Sequence, residues 1–245
     1  MNTENIIDLK RKRKMKFIKL AWLSVFVNII ILCVVLIFSG RVPASCFEYE
    51  ESDTITITGY KCGIFKRIII PDEIKGKKIT SIGDGAFEGI GLTDVKFSDN
   101  IIMIGKNAFK NNNLEIIILP SNLLELGEYS FSNNKLDYAL GFSNLKVIPE
   151  GAFMNNVIEG IALPNSVTRI GKYAFKGNNI YNFTLSNFIE IVEEGAFSDN
   201  DNLVRIFNNS GKSFDFELII NNRSGIPMET GIIESGDRQI EIIKE

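Results

Sequence analysis

No histidine occurs anywhere in the chain. A serine or cysteine nucleophile therefore has no imidazole to take its proton, and a metal site has no imidazole ligand. Carboxylates remain. Glu193, Glu194, Asp199 and Asp201 lie close in sequence, and two carboxylates suitably placed can cleave a glycosidic bond, but acids so spaced ordinarily form a solvated surface. Neither G-x-x-x-x-G-K-[ST] nor G-x-G-x-x-G is present, so no loop is built to cradle a phosphate or a dinucleotide. The expectation is a non-enzymatic chain with no catalytic residue, no cofactor and no metal. Whatever these side chains do, they do by contact.

A contact surface needs a frame, and the frame is periodic. Phe87, Phe109, Phe131, Phe153, Phe175 and Phe197 recur every 22 residues, each closing one short phrase: IGDGAF, IGKNAF, LGEYSF, IPEGAF, IGKYAF, VEEGAF. Eight residues before each Phe stand Ile79, Ile101, Leu123, Leu145, Val167 and Ile189; five after it stand Leu92, Leu114, Leu136, Ile158 and Ile180, with the sixth unit displaced by one residue to Leu203. No unit of this length buries such a face alone, so the columns must stack into one core. The period and its apolar columns predict a leucine-rich-repeat solenoid over residues 79–202. The alternating L-x-x-I-x-L pattern predicts one short parallel strand per coil, with the I-G-x-x-A-F phrase as turn or short helix on the other side. Its second position is Gly in four units and Pro149 or Glu193 in the others. Because Pro fixes φ near −65°, that Gly is expected to provide room and not a left-handed backbone. The column Asn112, Asn134, Asn156, Asn178 and Asn200 suits tight turns and a ladder of stacked amides.

Between inward-pointing strand positions, two columns face out. The first reads Asp94, Ile116, Tyr138, Gly160, Asn182 and Arg205; the second reads Lys96, Ile118, Leu140, Ala162, Thr184 and Phe207. Ile116, Ile118, Tyr138 and Leu140 are adjacent and apolar where polar residues were free to stand. A contiguous exposed apolar patch marks an interaction site; the alternatives are plain β-propensity, or a patch covered by the C-terminal segment. The candidate binding face is therefore Asp94, Lys96, Ile116, Ile118, Tyr138, Leu140, Asn182, Thr184, Arg205 and Phe207.

The phrase ITSIGDGAF, the run LP-x-S-V-x-x-IG-x-x-AF at Leu163–Phe175, and the lead-in ITGYKCGIFKRIIIPDEIKGKK together resemble the BspA-like class of leucine-rich repeats. The resemblance spans roughly Ile55 to Arg205. It implies a microbial surface protein, since members are found mostly on microbial surfaces and several are adhesins or host-protein binders. This chain departs from the family in carrying Asn where a turn Cys is common, and in the third repeat, where Ala139 and Gly141 replace large core residues and the neighbouring Tyr138, Leu140 and Phe142 suggest a local change of register.

The ends of the chain set its location. With 45% apolar and 23% charged residues, this is a folded chain and not a disordered one. Residues 1–19 carry seven Lys/Arg against two acids, a net of +5, which leaves −8 on the remainder of a chain whose total is −3. So acidic a body argues against nucleic acid as a partner. Leu20–Phe38 is almost wholly apolar and uncharged; about 20 residues at ~1.5 Å each cross the ~30 Å hydrocarbon core. Basic residues before the run and only Arg41 soon after it put the N-terminus in the cytoplasm and the repeats outside. The expected order is a basic tail (1–19), a transmembrane helix in the lipid bilayer (20–39), a linker (40–45), an N-terminal cap (46–78), the repeats (79–202) and a C-terminal cap (203–245). In that last region Glu217–Asn221 and Gln239–Lys244 alternate like strands around a turn at Glu234–Asp237. Cleavage after Ala44, following Val42-Pro43-Ala44, would instead give a secreted form, and Pro43–Cys46 faintly resembles a lipoprotein box. Cys33 sits inside the apolar run as a small apolar residue, whereas Cys46 and Cys62 flank an alternating stretch and would form a disulfide if that stretch folds as a hairpin.

Two functional expectations follow: a membrane-tethered extracellular module that binds a protein or glycan, or a structural envelope component that associates with itself. The length of the apolar run favours a retained anchor over cleavage. Mass spectrometry of the mature chain should return a species that includes residues 1–44; a chain beginning at Ser45 overturns the anchor.

Overall fold

The computed structural model describes residues 41–221, 231–235 and 238–243, together with five isolated positions between 25 and 35. The basic tail and most of the apolar run lie outside the described residues. Among those described, no helix is long and apolar enough to cross a membrane.

The repeats stack as parallel coils, and each coil carries two strands where the sequence pattern predicts one. The first ladder contains Asp94–Lys96, Ile116–Ile118, Tyr138–Leu140, Gly160–Ala162, Asn182–Leu185 and Arg205–Asn208, with its strand pairing interrupted between Lys96 and Ile116 and between Leu140 and Gly160. The second contains Met103–Ile104, Glu125–Leu126, Val147–Ile148, Arg169–Ile170 and Ile191–Val192. Paired neighbours in both ladders run parallel, as in Tyr138 with Ile116 and Met103 with Glu125. A two-residue strand leaves no alternation to read, but its backbone still needs partners. The neighbouring coil provides them: Ile102 N–H donates to Thr80 O at 2.9 Å, and Gly105 N–H to Ile82 O at 2.8 Å. The I-G-x-x-A-F phrase makes turns, with no helix.

The six phenylalanines are the axis of the core, each at most 1% exposed. Their rings stack at centroid spacings of 5.0, 5.2, 5.7, 5.5 and 5.3 Å. Beside them runs the asparagine column, and its bonding differs from the expected ladder. Asn134 Oδ1 accepts from Leu114 N–H at 3.1 Å, while its Nδ2 donates to the carbonyls of Phe109 and Phe131 at 2.9 and 3.2 Å. Asn112, Asn156, Asn178 and Asn200 repeat this scheme. These buried amides bond backbone, not one another. The amide-to-amide ladder exists one position earlier and at the surface, where Asn133 donates to Asn111 at 2.8 Å and Asn155 to Asn133 at 2.9 Å.

Gly105 and Gly127 provide room, as expected: an added Cβ would meet backbone at 2.7 and 2.3 Å. Left-handed backbone recurs two residues before each Phe, at Gly85, Asn107, Tyr129, Gly151, Tyr173 and Gly195, and again two residues after it, at Gly89, Asn111, Asn133, Asn155, Gly177 and Asp199. The third repeat keeps its register, contrary to the change suggested by its composition. Gly141, at φ +94° and with Leu119 O only 2.5 Å from where a Cβ would stand, lets Phe142 turn in and lie edge-on to Phe153 at 5.6 Å. Phe97 does the same for Phe109 at 5.5 Å. The missing core volume is thus filled one residue late.

Both ends are closed. Phe47–Glu51 pairs antiparallel with Ile55–Tyr60, which in turn pairs parallel with Lys77–Ile82. Cys46 and Cys62 are joined at the open end of that hairpin, with Cα atoms 5.2 Å apart. At the other end Phe216–Asn221 is helical, and not a strand as its alternation suggested. Phe216, Ile219 and Ile220 are buried, the i, i+3, i+4 spacing of one helix face, and Ile219 O accepts from Phe197 N–H at 3.1 Å. Arg238–Ile243 then pairs parallel with Arg205–Asn208 and antiparallel with Gly231–Ser235.

Removing a buried hydrogen-bond partner costs about 1–3 kcal/mol for each group left unmade, and emptying a Phe site about 3–5 kcal/mol. Urea unfolding should therefore show Asn134→Ala destabilised by about 3 kcal/mol, comparable to Phe131→Ala, with Asn134→Leu giving no rescue.

Candidate functional site

The first strand ladder presents its outward columns in register. Tyr138 stands beside Ile116 and Leu140 beside Ile118. These four side chains are 58%, 51%, 53% and 64% exposed, so no segment of the described chain covers them. The C-terminal strands lie at the far end of the ladder, against Arg205–Asn208. Between the first two coils runs a groove of about 400 Å³ that brings Asp94, Lys96 and Asp99 beside Ile116, Ile118 and Pro120. A charged wall and an aliphatic wall therefore share one depression.

The ten candidate residues do not form a single site. Asp94, Lys96, Ile116, Ile118, Tyr138 and Leu140 occupy three consecutive coils. Gly160 and Ala162 follow as a flat row, open above Gly160. Beyond it come Asn182, Thr184, Arg205 and Phe207, where Thr184 and Phe207 are half-buried and Arg205 is already paired with Glu241 at 3.2 Å. The apolar block and its charged neighbour make one end; a mixed surface with a paired Arg205 makes the other.

The turn side carries a different chemistry. Lys106 pairs with Glu128 at 2.6 Å and Lys172 with Glu194 at 2.7 Å, bonds that raise both lysine pKa values above the ordinary. Pairs so exposed contribute little to stability. Tyr129 donates to the Glu150 carboxylate; that bond, with partial burial second, pushes its phenol up to about 12. Lys110 lies 5.7 Å over the Tyr129 ring, and Lys172 and Lys176 each lie 5.0 Å over Tyr173. Sequence reading missed these tyrosines because their column also holds Gly and Asn, and only the shared left-handed backbone unites them. It also missed a concavity of about 630 Å³ at the corner of coils five and six, although the one-residue displacement at Leu203 was its signal. Among the described residues no group of three His, Cys, Asp or Glu is placed to hold a metal ion.

Residues 54–159 and 141–216 match the family model for a BspA type leucine rich repeat region, in six copies and over more than half of the chain. The chain belongs to the BspA-type leucine-rich-repeat family. No curated protein matches it. Among solved structures this BspA-type chain is similar to a leucine-rich cell surface protein from Faecalibacterium prausnitzii, at 21% identity and a TM-score of 0.51, covering 80% of this chain and 59% of that one. It is also similar to the leucine rich repeat protein of T. pallidum, at 25% identity and a TM-score of 0.47, covering 68% and 71% of the two chains. These are likenesses of fold. BspA-type repeats are typically binding scaffolds.

The Tyr129–Glu150 bond requires the protonated phenol. Its stabilisation is fully present below the ordinary tyrosine value near 10 and is lost as pH rises through about 12. Alkaline unfolding curves should accordingly fall less steeply for Tyr129→Phe than for the parent, and the absorbance titration should lose one late-ionising phenol.

Proposed function

We propose that this protein is a membrane-tethered extracellular binding module whose strand face, at the second and third coils, docks a protein partner. The carrying observation is the block Ile116, Ile118, Tyr138 and Leu140, four exposed apolar side chains in register on a rigid ladder. An exposed apolar patch with polar surroundings has the anatomy of an interface core and rim, and a tyrosine among aliphatics is the composition that dominates binding energy. Lys96 and Asp94, in the groove beside it, would fix the partner's orientation more than its affinity.

Two observations support the extracellular reading. The basic tail followed by the uncharged run at 20–39 has the charge asymmetry of a signal anchor, and the Cys46–Cys62 disulfide belongs to an oxidising compartment. The linker at 40–45 reaches ~20 Å at most when extended, which holds the solenoid close to the bilayer and favours a partner in the envelope or in a neighbouring membrane.

The test is capture by the full chain from envelope and host-matrix extracts, beside the variant Ile118→Asp/Leu140→Asp. Both positions are more than half exposed, so the variant should unfold within about 0.5 kcal/mol per site of the parent. A protein retained by the parent and lost by the folded variant supports the reading. Equal retention moves the site off the strand face, and self-association without a partner favours the structural envelope role.

A further inference from the structure

We propose that the corner between the fifth and sixth coils is a second binding site, for the pyranose units of a neutral glycan, and that one inserted residue creates it. At four earlier corners a backbone N–H donates to the preceding coil: Asn113 to Leu92 O, Lys135 to Leu114 O, Val157 to Leu136 O and Asn179 to Ile158 O, at 2.7, 2.9, 3.0 and 3.0 Å. At the sixth coil the chain turns on itself, with Leu203 N–H donating to Asn200 O at 3.1 Å, and register resumes at Val204, whose N–H reaches Tyr181 O at 2.9 Å. The extra residue between Asn200 and Leu203 carries that corner away from its neighbour. The concavity left behind measures about 630 Å³, within the ~300–1,000 Å³ typical of small-ligand sites.

Its lining sets polar side chains beside one aromatic and two aliphatic ones, Leu203 and Val204. Tyr181 is 52% exposed, Glu159 and Asn179 come from the two earlier coils, Asp201 and Asn202 come from the sixth, and buried Leu203 forms the floor. An aromatic face packs against the C–H face of a pyranose ring. Each Asn pairs a donor with an acceptor, and each carboxylate accepts at two oxygens, which matches adjacent sugar hydroxyls. Among the described residues, the polar ends of Glu159, Asn179, Tyr181 and Asn202 have no partner within the protein. Flanking acids elsewhere are taken up by lysines, as in Lys106–Glu128, Lys172–Glu194 and Lys176–Asp199. No Lys or Arg lines the corner, so a phosphate, sulfate or uronate would find no cationic partner in the lining and would face the Glu159 carboxylate.

The experiment is isothermal titration of the full chain, held in a detergent without a sugar headgroup, with cellohexaose, chitohexaose, maltohexaose and mannohexaose. At least one should bind. Tyr181→Ala should weaken that binding at least 10-fold, and deletion of Asn202, which restores the 22-residue spacing, should abolish it. Because deletion can perturb folding, Tyr181→Phe provides the milder control and should retain binding within a few-fold. Ile118→Asp/Leu140→Asp should bind as the parent does, which separates this site from the strand face, so that either can fail alone. The proposal is overturned if none of the four hexaoses binds, or if binding survives either Tyr181→Ala or the Asn202 deletion.

Discussion

Every coil in this molecule depends on one buried amide. A solenoid turns a corner in each repeat, and the corner must leave the core with its backbone groups paired, because an unpaired buried N–H or C=O is costly. The column Asn112, Asn134, Asn156, Asn178 and Asn200 meets that requirement by accepting from the N–H of the Leu or Ile two residues ahead of the preceding coil's strand and donating to two phenylalanine carbonyls. Asn is the shortest side chain that carries both an acceptor and two donors. Asp would lack the donors, and Leu would lack everything but volume. The phenylalanine stack supplies cohesion, but it is the amide that holds successive coils at one pitch, and the in-register strand columns follow from that pitch.

Uniform pitch has a functional corollary. Where the spacing is kept, side chains on the strand face fall into straight columns, so four substitutions on two neighbouring coils are enough to write an apolar block at Ile116, Ile118, Tyr138 and Leu140. Where the spacing is broken, as between Asn200 and Leu203, the surface acquires a hollow instead. Surface chemistry on this scaffold is thus changed either by letters within a register or by a slip of the register itself. The two devices produce different surfaces, an exposed apolar block and a recess of mixed lining.

The solenoid was legible because six phenylalanines hold one interval and the flanking apolar columns keep to it in all but a few places, such as Leu203 and Gly141. The outward columns were legible for the same reason, once a strand was placed at L-x-x-I-x-L. What the chain did not reveal had physical causes. The two-residue strands such as Met103–Ile104 are too short to alternate. Phe216–Asn221 satisfies both a period of two and a helical face, and only the need to cover Phe197 selects the helix. The asparagines declared a turn but not their partners, because those are main-chain atoms contributed by two different coils. Tyr129 and Tyr173 concealed a shared left-handed backbone, a conformation uncommon for a bulky residue. The corner hollow was written as a single displaced leucine, and a gap in a column reads as noise until its walls are seen.

The bond between Cys46 and Cys62 also determines how the molecule carries load. Tension entering from the N-terminal side arrives at Cys46 and crosses directly to Cys62, so the hairpin Phe47–Glu51/Ile55–Tyr60 sits in a covalent bypass. Pulling cannot unzip those two strands from their open end. The first element to feel the force is the chain beyond Cys62, where Arg67–Ile69 is bonded alongside Asp94–Lys96. A reduced molecule would yield hairpin first; an oxidised one must begin to yield inside the stack.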